Sequence, residues 1–207
     1  MLKKNNILVL FTVLSLIFLF ITTSNFSLDQ TILNAGASDG YQYFLISKNV
    51  PFIAQDIQYI KGERFILPYL IGLISIFTGL DLFLTYKIFS LIAFLYLTFL
   101  FIRILRNINL NTNTTMISVS LIVFNPYLFW YFLSIPTMIG DLIFMISSLL
   151  ILEGLLKKEK PKIFYGFIIS LISRQNGIIF FISFLISKLI FRKKSIFTIV
   201  DMIYFLI

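Results

Sequence analysis

An all-α fold, a polytopic transmembrane helical bundle, is the class this sequence predicts, and three observations carry the prediction. Of its 207 residues 59% are hydrophobic and only 13% charged, where soluble domains hold roughly a quarter charged residues. Mean hydropathy is +0.98. Several apolar runs approach the roughly 20 residues that cross a hydrocarbon core of about 30 Å. Runs such as "ILVLFTVLSLIFLFI" do not alternate between apolar and polar residues, as the strands of a membrane barrel must. The chain reads as one transmembrane domain over 1–207.

The elements follow in order. Residues 7–22 form a first helix behind "MLKKNN". A signal peptide would look similar, but no A-x-A-like cleavage site follows in "TTSNFS", which favours an uncleaved helix. A long loop then runs over 23–65, and "GASDGYQYFLISKN" places Asp39 in a glycine-flanked turn within it. The run "FILPYLIGLISIFTG" (65–79) is short for a crossing and opens with Arg64 and Pro68, so it reads as a juxtamembrane helix. Helices follow at about 82–102, 115–133 and 137–156, the second kinked at Asn125-Pro126. Segments 163–173 and 178–191 form an out-and-back hairpin with its tip at "SRQNG" (173–177). A last helix spans 195–207, and an apolar helix that stops without polar residues reads as a C-terminally truncated protein.

Charge sets the orientation. Eleven of the 17 basic residues fall in four clusters, at Lys3/Lys4, Arg103/Arg106, Lys157/Lys158/Lys160/Lys162 and Arg192/Lys193/Lys194. The positive-inside rule places all four in the cytoplasm. That assignment requires 65–79 to stay on the outer face, since a full crossing would invert everything after it. The long loop with its surface helix (23–80), the turn near 134–141 and the hairpin tip then share the outer side. They carry Asp29, Asp39, Asp56, Glu63, Arg64, Asp141 and Arg174. Net charge is +8, but clusters between apolar segments are a membrane signature and not a nucleic-acid one. With no Cys and no His, disulfides, Cys/His zinc sites and a histidine base are excluded, so any chemistry falls to carboxylates, Lys, Arg, Tyr or amides.

Arg174 lies between two segments each too short to span. Its charge is expected at partial membrane depth, where an ionisable group faces a cavity and a partner; the plainer reading is a hairpin-tip charge. Asp141, in "SIPTMIGDLIF", begins a helix and is accounted for equally by its dipole. Asp39 in Asp-Gly has a turn reading of its own, and Arg64 that of an interfacial arginine reaching to headgroups. Tyr41 and Tyr43 serve either as interfacial anchors or as stacking surfaces for a sugar. Trp130, Tyr127 and Tyr131 read as an aromatic belt.

The pieces "SDGYQYFLIS", "ERFILPYLIGLISIFTG", "YKIFSLIAFLYLTFLFIRILRN" and "YGFIISLISRQNGIIFFISFLI", in that order, resemble the C-type (GT-C) glycosyltransferases. These are integral membrane enzymes that use polyprenyl-phosphate-linked sugars, the protein mannosyltransferases among them. The resemblance spans nearly the whole chain but rests on pattern, with no single diagnostic motif. It implies that Asp39 is the general base toward an acceptor hydroxyl, with Asp141 as a supporting second acid. It implies that Arg64 and Arg174 hold the carrier phosphate, with Tyr41 and Tyr43 near the sugar. Asp29 and Asp56 read as solvated loop acids. The implied partners are membrane lipid, a polyprenyl-phosphate-linked sugar donor and an unknown acceptor, with no nucleic acid. The implied location is a bacterial inner membrane with the N-terminus cytoplasmic. The cofactor is unknown: the sequence indicates no metal site, and a divalent metal requirement stays open. The alternatives are a transporter or flippase for lipid-linked saccharides and a non-catalytic membrane subunit. A transporter would place ionisable residues mid-helix in opposed repeats, which this chain does not show.

The topology is testable by cysteine scanning on a chain with no native cysteine. Residues 23–80 and 173–177 should label from outside, and 103–114, 157–162 and 192–194 only from within. Labelling of Asn109→Cys by an impermeant outside reagent would overturn the arrangement.

Overall fold

The structure, a computed structural model, describes residues 39–52, 64–125, 128 and 131–174, with isolated positions at 13–14, 17–18, 21, 177–179, 181–183 and 186. The described residues are helical, with no strand among them. In order they form α1 (Asp39–Lys48), α2 (Ile66–Thr78), α3 (Leu82–Asn107), α4 (Thr112–Val123), the single turn α5 (Tyr131–Ser134), a 3₁₀ turn (Pro136–Met138), α6 (Ile139–Lys157) and α7 (Lys160–Ser173). Two of these helical stretches are long and apolar enough to cross a membrane, Leu82–Asn107 and Pro136–Lys157. Most of the predicted helices 7–22 and 178–191, and all of 195–207, lie outside the described residues.

Local chemistry explains where the helices start and stop. Asp81 caps α3 by accepting from the Leu84 N–H at 2.9 Å, and Asn111 caps α4 by accepting from the Thr114 N–H at 2.8 Å. Gly79 ends α2 in the left-handed region at φ 68°, the conformation that glycine adopts without a steric penalty. α3 runs to Asn107, beyond the expected end at 102. Its last turn carries Arg106, with Arg103 just before it, and basic side chains suit a helix C-terminus.

Two expectations are corrected. The helix predicted over 115–133 is not continuous. α4 ends at Val123 and the chain leaves helical geometry at Phe124 and Asn125 before the short α5. Pro126 disfavours helical geometry at the residue before it and removes a backbone donor, so the chain breaks where a kink was expected. Asp39 is not in a turn either. It is the first residue of the ten-residue helix α1, inside the stretch read as loop. Asp-Gly is a turn signal in isolation, but a carboxylate in a first helical turn also suits the dipole, and packing decides between them. A Cβ on Gly40 would come within 2.8 Å of Thr137 Oγ1, so the glycine brings α1 against the 3₁₀ turn.

The core gathers around α3. Phe94, Leu97 and Leu100 pack with Val119 and Val123 of α4, Phe132 and Leu133 of α5, and Leu142, Ile146 and Leu150 of α6. α3 and α6 run parallel: near their starts Tyr86 shares a cluster with Ile139 and with Ile71 of α2, and near their ends Arg103 meets Glu153. α7 returns antiparallel along α6, with Gly154 against Ile163, Gly166 against Ile151 and Gly140 against Ser173. The molecule therefore has two polar ends. One holds α1, the start of α3 and the start of α6; the other holds the basic ends of α3 and α6 and the beginning of α7.

α2 is locked onto α1 by close approach. A Cβ on Gly72 would sit 2.3 Å from the Ser47 carbonyl oxygen and 2.9 Å from its Cα, and backbone cannot rotate away as a side chain can. Gly72→Ala is expected to destabilise the protein by roughly 1–3 kcal/mol. Thermal unfolding in detergent measures it, and Gly140→Ala, whose Cβ would meet only the Ser173 carbonyl at 3.3 Å, should shift the midpoint far less.

Candidate functional site

Four residues singled out in the sequence meet at one end of the bundle as two acid–arginine pairs. Asp39 opens α1, and Arg64 lies just before α2. Arg64 Nη1 stands 3.5 Å from Asp39 Oδ2 and donates to the Tyr43 hydroxyl at 2.9 Å. One turn of α1 separates Asp39 from Tyr43, so a single guanidinium reaches both side chains from the same helix face. The Arg64 side chain is only 13% exposed and that of Asp39 28%. Arg64 Nε is buried and has no hydrogen-bond partner among the described residues.

The second pair joins Asp141, in the first turn of α6, to Arg174, the residue that follows α7. Arg174 Nη2 contacts Asp141 Oδ1, and each side chain is 23% exposed. Gly140 lies against the Ser173 backbone, so the antiparallel packing of α6 on α7 by itself carries the two charges together. The pairs are neighbours through the 3₁₀ turn. Thr137 packs on Gly40, next to Asp39, and lies one helical turn before Asp141.

Beneath the first pair is a buried polar network. The Ser47 hydroxyl donates to the Pro68 carbonyl at 2.7 Å and is hydrogen-bonded to the Tyr86 hydroxyl, which lies 3.3 Å from the Tyr43 carbonyl. Ser90 Oγ lies 3.4 Å from the Pro136 carbonyl. These contacts tie α1, α2, α3 and the 3₁₀ turn together directly below Asp39 and Arg64. Satisfied buried networks of this kind rigidify what they hold.

The arrangement changes the expected roles of several residues. Tyr43 is buried, 5% exposed, so its ring offers no face for a sugar; its hydroxyl accepts from Arg64 and fixes that guanidinium. Tyr41 is half-buried on the same helix. Gly40 has a packing role, admitting Thr137. Asp29 and Asp56 lie outside the described residues. No group of three or more His, Cys, Asp or Glu side chains able to hold a metal ion occurs among the described residues.

Sequence reasoning missed Lys87, Tyr86 and Ser47. Lys87 is 4% exposed and sits early in α3, at the level of this network. The available signal was a lysine interrupting an otherwise apolar run, since an ionisable group within a membrane helix is rare and faces the bundle interior. Comparison with known protein families, with characterised proteins and with solved structures finds no match to this chain.

The pairs should differ in strength. A double-mutant cycle of Asp141→Asn with Arg174→Gln is expected to show a coupling of about 1 kcal/mol or more, within the range of contacting charges. The cycle of Asp39→Asn with Arg64→Gln should show less, because that pair is 3.5 Å apart and Arg64 keeps Tyr43. Thermal unfolding of the four single variants and two double variants measures both, and zero coupling for Asp141 and Arg174 would refute the pairing.

Proposed function

We propose that this chain is an integral membrane glycosyltransferase of the C type, moving a sugar from a polyprenyl-phosphate carrier to an acceptor at the outer face of the membrane. The observation that carries the reading is the pairing of Asp39 with Arg64 and of Asp141 with Arg174 at one end of the bundle. Both carboxylates and both guanidinium groups are mostly buried there, away from the basic end. The wider arrangement proposed with it is a polytopic bundle in a bacterial inner membrane. The N-terminus is cytoplasmic, and 7–22, 178–191 and 195–207 supply further helices.

Transfer needs cations for the leaving phosphate and a base for the attacking hydroxyl. A guanidinium binds phosphate through paired N–H donors, and Arg64 has its buried Nε uncommitted among the described residues. Before the donor arrives, each arginine compensates a carboxylate that would otherwise be costly to bury. When the carrier phosphate takes the guanidinium, Asp39 is released toward the acceptor. The acceptor oxygen bonds to the anomeric carbon, its proton passes to the Asp39 carboxylate, and the sugar–phosphate bond breaks with its electron pair going to the phosphate. Asp141 holds Arg174 in the same way.

The test is sugar transfer in membranes carrying single variants. Asp39→Asn should lower turnover by about 10²- to 10⁴-fold, the typical contribution of a positioned base, with donor binding retained. Arg64→Ala and Arg174→Ala should weaken donor binding, and Lys at either position should restore it only in part, because it lacks the bidentate fork. Near-normal transfer by Asp39→Asn would remove it from catalysis. Unchanged donor affinity in both arginine variants would leave the pairs as structural ties.

A further inference from the structure

The opposite end of the bundle holds a cluster that the proposed transfer does not use. Glu153 of α6 is completely buried, at 0% exposure, although it is two turns or less from the helix end. Cations from three directions converge on it. Arg103 Nη2 of α3 lies 2.6 Å from Oε1, Lys157 Nζ of α6 3.1 Å from Oε1, and Lys162 Nζ of α7 3.2 Å from Oε2. The distances are those of ion pairs. Lys162 also contacts Glu159 at 2.7 Å. Burial works against the Lys162 charge, but its contacts with Glu159 and Glu153 outweigh it and hold the amine above the ordinary lysine range.

Two carboxylates, Glu153 and Glu159, cannot neutralise three cations. Arg103, Lys157 and Lys162 keep 48%, 33% and 25% of their side chains exposed, so each faces Glu153 on one side and the surroundings on the other. The cluster sits where α3 and α6, the two stretches long enough to cross a membrane, reach their C-terminal ends. That is the depth of phospholipid headgroups, and helix C-termini favour cations there. Exposed Leu152 and Leu156 lie on the same end of α6, beside which an acyl chain would run.

We propose that Arg103, Lys157 and Lys162, pre-oriented by buried Glu153, form a binding site for the phosphate of an anionic phospholipid headgroup. The carboxylate spaces the three cations in the free protein, and the phosphate neutralises their outward faces. The site rests on the membrane reading of the fold and is independent of the glycosyltransferase reading, so either can fail without the other.

The test uses the full chain in nanodiscs of phosphatidylcholine, with or without phosphatidylglycerol, reading bound lipid by native mass spectrometry and the thermal midpoint. Surface charge alone contributes about fivefold per cation in affinity for anionic lipid. Arg103→Gln with Lys162→Gln should therefore lose well over the roughly 25-fold that two surface charges account for in phosphatidylglycerol retention. Arg106→Gln with Lys158→Gln, the same charge change on exposed side chains outside the cluster, should lose only that surface contribution of about 25-fold. Equal losses would reduce the cluster to general surface charge and overturn the proposal. Glu153→Gln separates the site from a purely structural tie. It should melt earlier in phosphatidylcholine and recover when phosphatidylglycerol supplies the missing negative charge. Failure to recover would overturn the proposal, as would equal recovery with inorganic phosphate in phosphatidylcholine, which would mean a soluble anion and not a lipid.

Discussion

Charge compensation across helices is the constraint on which the rest of this structure depends. An ion taken from water into an apolar bundle costs several kcal/mol unless an opposite charge meets it there. Glu153 shows the consequence most directly: it has no accessible surface, and α3, α6 and α7 must each arrive in one register to bring it a cation. At the other end Asp141 and Arg174 impose the same condition on α6 and α7. Helix packing between apolar faces tolerates sliding, whereas a buried charge that slides loses its partner. The two sets of pairs, roughly 18 Å apart along α6 at 1.5 Å per residue, therefore hold one alignment of α7 against α6.

Small residues make that alignment attainable. Gly154 and Gly166 let α6 and α7 approach until side chains of one touch the backbone of the other, and Gly72 does the same for α1 and α2. In the membrane setting proposed above there is little hydrophobic gain from helix association, which leaves it to close packing and polar contacts. The network of Ser47, Tyr86, Tyr43 and Pro68 is the polar counterpart. Rigidity below Asp39 and Arg64 thus comes from the same contacts that assemble the bundle, which ties the candidate site to the fold.

The two ends differ in a way that fits different tasks. At the acid end each carboxylate meets one arginine, and a guanidinium retains donors for a further anion. At the basic end a single carboxylate organises three cations and leaves positive charge facing outward. On the proposed readings, one end exchanges partners and the other rests against a negatively charged layer.

Composition and apolar run length determined by themselves that the chain is helical and apolar, because both are properties of residues summed over a segment. The starts of α3 and α6, and the span of α7 to within a turn, follow from caps, prolines and charge clusters that act locally. Asp39, Arg64, Asp141 and Arg174 stood out in the sequence as polar residues set against apolar surroundings. Their partners were not, since nothing along the chain links residue 39 to 64 or 141 to 174. Only the tertiary structure decided those pairs, the burial of Glu153 and Lys87, and the helical state of Asp39–Lys48. In that last case Asp-Gly carries a strong turn signal by itself, and the packing of Gly40 on Thr137 overrides it. Partner choice is set by which helix faces come within a few ångströms, a distance that sequence separation does not encode.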